Sequence, residues 1–516
     1  MLDIRQLRVS REWMLIFFFV LIKLVIHFLT YANYELHRDA YLYYAQSEHL
    51  AWGYVSVPPS IAVVGKIATT LFGNTTFALR FFPALIGAAN LIVIGLMVKE
   101  LKGKEAALIL ASLAFLLSPA YLHTNTLFQP VSFNQFYWLL AGYLILIMIN
   151  RNDQKIWIGI AIVFALAFLN KYSIVFFAFA FAVSLMISQY RYLYFSKYFV
   201  IALVIGMAII FPNLVWQYEH NWPVLQHMEN LQKTQLIHVQ LSDFVISQFL
   251  MNMQGLLIWV TGLLAVLFCK KDNQYRVFGF IYFIVIGLLI LGRGKSYYTL
   301  GLYPILFVFG AYIIEKYVKQ YLVIITAFLV LFMFISLYAS LSYGGIPFNS
   351  FEDAVRKEGY RWEDGIYHDI PQDLADMTGW NHLGNKVVEI YTQLDTTQRK
   401  NCDIFCYHYG QAGAVMFYGK DKNIPQSISF NDNFVFWSPD SLSKENIIWV
   451  HSDLGNDINP DSLLPTIFQT AELQAIIEDK YFRENGTKIF LCRHPTADFR
   501  HYFKSRMSDI KRRYSR

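Results

Sequence analysis

Charge is scarce in this chain. Only 16% of its 516 residues are Asp, Glu, Lys or Arg, where a soluble domain usually carries about 25%. That shortfall excludes an ordinary water-soluble protein. Cysteine is scarce too, with four residues at 269, 402, 406 and 492, and their spacing matches none of the usual metal sites. The chain has no P-loop and no dinucleotide fingerprint. It also lacks an evident internal repeat, and its charges lie mainly at the edges of apolar runs. A polytopic lipid or oligosaccharide transporter or flippase would show the opposite pattern. That class is kept as the alternative, beside a non-enzymatic outer-surface sensor.

Apolar length is what the chain has in abundance. Hydrophobic residues make up 56% of it, aromatics 17%, and its mean hydropathy is +0.37. Runs long enough to cross a bilayer fall near 13–31, 77–98, 105–122, 131–150, 156–170, 172–190, 197–211, 246–268, 277–291, 298–314 and 321–340. The expectation is a polytopic α-helical membrane protein of eleven to thirteen spans over 1–340, with a soluble domain at 341–516. The stretch 60–73 is apolar but short and carries Lys66, so it reads as re-entrant or interfacial. No small-residue cleavage site follows the first run, which reads as a retained helix.

Lys and Arg orient the spans. Arg5, Arg8 and Arg11 place the N-terminus in the cytoplasm, and alternation makes the basic breaks at 99–104, 151–155, 189–197, 270–276 and 315–320 cytoplasmic. The segments 32–76, 123–130, 212–245 and 292–297 then face outward with the C-terminal domain. One outer break defies the charge rule: GRGKSYY, with Arg293 and Lys295 beside Tyr297 and Tyr298. Snorkelling at a helix end accounts for it, and so does an anion site at headgroup depth. Lys171, in Asn170-Lys171-Tyr172, is another outer cation open to both readings. Asn125, Gln129 and Asn134 read as ordinary turn chemistry. In 212–245, Trp216, Glu219, His220 and Trp222 combine rings with hydrogen-bonding groups, as a sugar site does; an interfacial aromatic belt is the plainer alternative.

The first outer loop, HRDAYLYYAQSEHLAWGYVSVPP at 37–59, is long for a connection and ends on Pro58-Pro59. It gathers His37, Tyr41, Tyr43, Tyr44, His49, Trp52 and Tyr54 around Asp39, with Glu35 and Glu48 as competing acids.

From 37 to 101 the chain resembles the opening of bacterial glycosyltransferase family 39 proteins, relatives of dolichyl-phosphate-mannose–protein mannosyltransferases and of the lipid A aminoarabinose transferase. The resemblance continues, in the family's order, through FLNKYS (168–173), PNLVWQYEHNWP (212–223), GRGKSYYTLGLYP (292–304), YGQAGAVMFYGK (409–420) and FWSP (436–439). It implies a GT-C fold and an inverting enzyme on the outer face of a bacterial inner membrane. Such an enzyme moves a sugar from a polyprenyl-phosphate donor to a lipid, glycan or protein acceptor. Membrane lipids would be its other partners, and no nucleic acid is expected. The family's catalytic acid falls on Asp39, which would act as general base. Arg293 and Lys295 are the first candidates for the donor phosphate, with Lys66, Arg80 and Lys171 behind them. Tyr54, His49, Trp216, Glu219, His220, Trp222, Tyr297 and Tyr298 would line the substrate. No cofactor is required; a divalent metal is compatible, with Glu219 and His220 or His49 as ligands. The chain departs from the family at one point: Ala40 stands where the family has a second acid.

In 341–516, NCDIFCYHYG, KIFLCRH and NIIWVHS alternate as strands, while 384–397 and 469–481 read as helices, giving an α/β or α+β domain. The resemblance gives this domain a role in covering the site and meeting the acceptor. On one strand Cys402 and Cys406 would lie about 13 Å apart, too far to bridge. One of them has the option of pairing with Cys492, but buried apolar cysteine is the plainer reading. The basic tail, 500–516, reads as a solvated terminus, with contact to anionic headgroups as the alternative.

Overall fold

The computed structural model describes residues 10–340, 350–356, 359–363, 365–452 and 459–516. Arg5 and Arg8 lie outside them, as does 341–349 at the expected domain boundary. The chain forms two compact units, each assembled from three separated stretches. The first takes Met1–Tyr31, Arg80–Pro212 and Gln232–Asn349; the second takes Ala32–Leu79, Asn213–Leu231 and Ser350–Arg516. The first outer loop thus packs with the polar C-terminal stretch.

The first unit is a helical membrane bundle. Among the described residues six helices are long and apolar enough to cross a bilayer: Arg11–Thr30, Thr76–Glu100, Pro130–Arg151, Lys197–Glu219, Lys270–Leu291 and Tyr303–Ser340. Shorter apolar helices fill the other runs, among them Glu105–Leu116, Ile156–Asn170, Ile174–Met186 and Leu256–Phe268. Large apolar side chains such as Phe17, Phe18, Leu21 and Leu29 point outward, which a helix does when lipid surrounds it. Small residues let neighbours approach closely. A Cβ on Gly310 would lie 1.9 Å from the Ile258 carbonyl oxygen, and one on Gly262 2.2 Å from that of Leu306.

Three expected runs differ in detail. The run 105–122 breaks after Leu116, because Pro119 starts a new helix, Pro119–Thr124. The run 246–268 is split between Leu241–Leu250 and Leu256–Phe268. The segment 212–245 is largely helical rather than a loop. Helix Lys197–Glu219 continues through Pro212, and Pro223–Thr234 follows once Asn221 and Trp222 adopt left-handed φ values of 58° and 52°.

The second unit carries the strands. β1 (Tyr360–Arg361) and β2 (Tyr367–His368) form an antiparallel ribbon. β3 (Cys402–Cys406), β4 (Asn446–His451), β5 (Phe468–Ile477) and β6 (Thr487–Pro495) form one sheet in the order β3-β4-β6-β5. β3 runs parallel to β4, and the other pairs are antiparallel. The expected helix at 469–481 is therefore a correction: β5 runs along β6 from Phe468 opposite Pro495 to Ile477 opposite Thr487. Cross-strand pairing decided that segment over its local propensity. The basic tail is a second correction. It forms helix Ala497–Arg513 with Phe499, Phe503, Met507 and Ile510 buried against Phe405, Trp449 and Phe490. Cys402, Cys406 and Cys492 are buried and free.

Candidate active site

Asp39 opens helix Arg38–Glu48. The His37 ring caps that helix, its Nδ1 accepting the Asp39 N–H at 3.1 Å. The start of the helix is tied to a distant stretch of chain. The Glu35 N–H donates to the Met377 carbonyl at 3.0 Å, and the Arg38 N–H to that of Asp376 at 2.9 Å. The helix lies against Tyr409–Gly419, the helix built from the YGQAG phrase. A Cβ on Gly413 would sit 2.5 Å from the Tyr41 carbonyl oxygen, so only glycine fits at that crossing.

This packing brings Tyr409 to Asp39. Its hydroxyl donates to Asp39 Oδ1 at 2.6 Å, the short distance typical of a bond to a carboxylate. Beneath the pair lies a buried charge network. Arg38 Nε is 3.7 Å from Asp376 Oδ1 and 3.9 Å from Asp39 Oδ1, and its guanidinium lies over the Tyr409 ring. Arg483 donates to Asp376 at 2.9 Å. Gln411 donates to Glu484 at 2.6 Å, and His408 lies 3.7 Å from the same carboxylate. Burial works against the Arg38 charge, but Asp376, Tyr409, Asp39 and Glu484 hold it. Burial pushes the Glu484 carboxyl up to about 7, with Arg38 acting in the opposite sense. Burial also pushes His408 well below the usual histidine range, so the ring is neutral.

The three acids of the outer loop have different fates. Glu35 accepts the Asn381 N–H at 2.9 Å, at the start of helix Trp380–Gln393. Glu48 sits between Lys66, at 3.1 Å, and Lys420. Asp39 is held by a tyrosine and keeps 29% of its side chain open. Ala40 is fully buried, leaving no room there for a second acid. Asp432 is a further acid of the second unit, in the turn before Asn433. Burial and then the charge of Asp39 push its carboxyl up to about 6, against the Asn433 N–H, which donates to it at 2.8 Å.

The remaining candidates fall into groups within each unit. In the second, Trp216 stacks on His220 at 4.1 Å between ring centroids, and Phe436 approaches both edge-on. His49 stacks on Trp437 at 4.3 Å and bonds Gln426 at 3.2 Å. The FWSP phrase thus meets both outer segments. Tyr54 is buried, its hydroxyl 3.0 Å from the Gln46 carbonyl and 3.1 Å from that of His49, so it braces the loop. Glu219 is exposed, and Trp222 is half-buried in its turn. In the first unit Lys171 lies over the rings of Tyr297 and Tyr298, at 5.1 and 4.7 Å, joining two phrases far apart in sequence. Lys295 donates to Gln235 at 3.0 Å. Arg293 is exposed with a left-handed φ of 50°. Arg80 is buried and donates to the Tyr31 carbonyl.

Among the described residues no group of three or more His, Cys, Asp or Glu gathers as a metal site. His49 and His220 are stacked on separate tryptophans, and His220 Nδ1 also meets the Trp216 carbonyl at 2.8 Å, so with Glu219 they do not form a ligand set.

Comparison with known proteins agrees with this architecture. Residues 56–216 match the family model described as dolichyl-phosphate-mannose-protein mannosyltransferase. ArnT from Cupriavidus metallidurans bound to undecaprenyl phosphate is similar in structure, with a TM-score of 0.61 at 13% identity over 94% of this chain and 98% of that one. Its apo state matches with a TM-score of 0.61 at 12% identity over 93% and 98%. No curated protein matches in sequence. The protein has the GT-C fold of ArnT, and the resemblance read from its sequence is borne out.

Proposed function

We propose that the protein is an inverting glycosyltransferase. It takes a sugar from a polyprenyl-phosphate donor and passes it to a lipid, glycan or protein acceptor on the outer face of a bacterial inner membrane. The second unit is then periplasmic and the N-terminus cytoplasmic. The carrying observation is Asp39. It accepts the Tyr409 hydroxyl and keeps part of its surface open, in a chain with the ArnT fold.

Asp39 takes the proton of the acceptor hydroxyl as that oxygen attacks the anomeric carbon. The bond from that carbon to the phosphate oxygen breaks on the opposite face, and polyprenyl phosphate leaves with the electron pair. Cations stabilise the charge that builds there. Lys171, Lys295 and Arg293 are the candidates for that role, Lys171 lying over two tyrosine rings and Lys295 donating to an amide. Lys66 is paired with Glu48 and Arg80 with a backbone carbonyl, which makes them weaker candidates. The rings of Trp216, Trp437 and Phe436 offer faces for a sugar. The transfer needs no cofactor, and no step is assigned to a metal.

The transporter reading asks for an ionisable group inside the bundle. Lys23 is one, but its ammonium donates to the Tyr121 carbonyl at 3.0 Å and lies over the Phe115 ring. The direct test incubates purified protein with a panel of polyprenyl-phosphate-linked sugars (hexose, aminosugar, aminoarabinose) and an envelope lipid extract. Release of polyprenyl phosphate with labelling of an acceptor supports the proposal. Donor that crosses the bilayer unaltered, without release, favours a flippase.

A further inference from the structure

Within the first unit, helices Ile156–Asn170, Ile174–Met186 and Lys197–Glu219 enclose a groove of about 340 Å³. That volume falls in the range of about 300–1,000 Å³ usual for small-molecule sites. Its walls are carbon, with Phe164, Phe168, Val175 and Phe181 among them. Trp157 and Tyr194 also line it, but their polar atoms turn to the backbone. Trp157 Nε1 donates to the Leu193 carbonyl at 3.1 Å, and the Tyr194 hydroxyl to that of Ala182 at 2.6 Å. The groove opens sideways, since Leu203 and Met207 on its wall are 53% and 52% exposed. Gly206 on that wall differs from the glycines at the crossing of Gly262 and Gly310, where a Cβ would strike a backbone oxygen. A Cβ on Gly206 would meet only Ala161, at an ordinary 3.8 Å. Here the glycine leaves space instead of closing it. An empty groove forfeits dispersion contacts along its walls, and in a bilayer a lipid chain is what fills one that opens to the side.

One end of the groove selects the kind of lipid. Its floor there is a ring cluster: Phe199 lies 4.9 Å from Trp157 and 5.1 Å from Tyr194, centroid to centroid. Three cations surround that floor. Lys155 directly precedes helix Ile156–Asn170, and Lys197 opens helix Lys197–Glu219. Arg191 stands three residues before Tyr194 in the 3₁₀ turn Arg191–Phe195, the spacing at which side chains of such a turn eclipse. All three are exposed, and among the described residues none forms an ion pair. Lys197 lies over the Tyr198 ring at 5.4 Å, and Asp153 accepts the Lys155 backbone N–H at 2.9 Å rather than its ammonium. The phrase YRYLYFSKY at 190–198 sets four tyrosines beside Arg191 and Lys197. Tyrosine is enriched where a span reaches the headgroups.

We propose that this groove binds one acyl chain of an anionic phospholipid, whose headgroup is held by Lys155, Arg191 and Lys197. Chain burial discriminates little inside a bilayer, because the surrounding tails are equally apolar. The headgroup does the selecting, at about fivefold for each cation near an anionic lipid. The opposite end of the groove, at Phe168 and Ile174, flanks Lys171, the candidate for the donor phosphate. The phospholipid and the donor therefore enter from different ends. On the orientation proposed above, the phospholipid belongs to the cytoplasmic leaflet, although the site itself does not rest on that orientation. A chain seated there braces helices Ile156–Asn170 and Ile174–Met186, whose joining turn carries Lys171.

The test needs no known sugar. Full-length protein is placed in phosphatidylcholine vesicles that contain a phosphatidylglycerol analogue with a diazirine in one acyl chain. After illumination, peptide mass spectrometry maps the adducts. They should concentrate on the groove walls, within 157–182 and 199–210, and added phosphatidylglycerol should displace them where phosphatidylethanolamine does not. Arg191→Gln and Lys197→Gln should each cut this labelling about fivefold. Gly206→Leu fills the groove and should abolish it. Should Gly206→Leu fail to fold, the two variants at exposed cations and the competition on the parent decide the matter. Adducts spread evenly over the bundle, or displaced equally by both lipids, mean a surrounding lipid only and overturn the proposal. Labelling unchanged in both Gln variants overturns the headgroup site. Adducts displaced by polyprenyl phosphate in preference to phosphatidylglycerol give the groove to the donor's tail and overturn it as well.

Discussion

In the first unit, Lys171 lies over two tyrosine rings and Lys295 donates to an amide. In the second unit, Arg38 and Arg483 face Asp376, while Lys66 and Lys420 close on Glu48. The first arrangement sets cations against rings and an amide, and the second sets them against carboxylates. That difference separates two kinds of work. Cations of the first kind are the ones proposed to meet the donor phosphate. Those of the second kind hold a frame around Asp39, the acid proposed as the base.

Breaking the frame should have the largest effect. Arg38→Met leaves the buried Asp376 and Glu484 with Arg483 as the remaining guanidinium, a loss of up to about 3–5 kcal/mol by analogy with other buried pairs. Thermal melts and expression level would show it as a second unit that folds poorly; a near-normal melt would mean the network is dispensable. The contrast between the two kinds of cation comes next. Lys171→Met should raise the donor KM roughly 10-fold or more, since a hydrogen bond to a charged group is worth about 1.5–3 kcal/mol. Lys66→Met should leave KM alone and cost at most about 1 kcal/mol of stability, as exposed pairs do. Equal effects of the two on KM would erase the distinction drawn here. Gly413→Ala should then cost about 1–3 kcal/mol by pushing helix Arg38–Glu48 off its neighbour, with a fall in kcat as Asp39 moves.

The smallest effect is a pH dependence. Burial raises the Glu484 carboxyl from 4.5 to about 7, so the folded form binds this proton more tightly than the unfolded form does. The stability it contributes is complete below pH 4.5 and is lost as pH rises towards 7. Glu484→Gln does not titrate, so its melting temperature should gain on the parent's between pH 5 and 8. A constant difference across that range would contradict the assignment.

Much of the bundle was legible because lipid imposes long apolar runs, which sequence shows directly. The strands at 402–406, 446–451 and 487–495 were legible for a similar reason, their apolar residues being dense and β-branched or aromatic. β5 was not, since Glu472, Gln474 and Ala475 suit a helix and only pairing with β6 makes the segment extended. The site was half legible. Asp39 stood out from its loop and its resemblance. Arg38 was in the same phrase but had no visible partner, because Asp376 and Glu484 lie more than 330 residues away. Tyr409 sat in a phrase already noted, YGQAG, and the glycine at 413 was the signal of a close helix crossing. Asn433 carried no signal of its own, since its contacts with Gln46 and Val55 join stretches more than 370 residues apart.

One measurement bears most directly on the whole account. Purified parent and Asp39→Asn protein are compared for release of polyprenyl phosphate from the donor that the parent turns over best, with donor binding and thermal stability measured alongside. Transfer should vanish in Asp39→Asn while the protein stays folded and binds donor as the parent does. Transfer at the parental rate would contradict the role of Asp39 as the base.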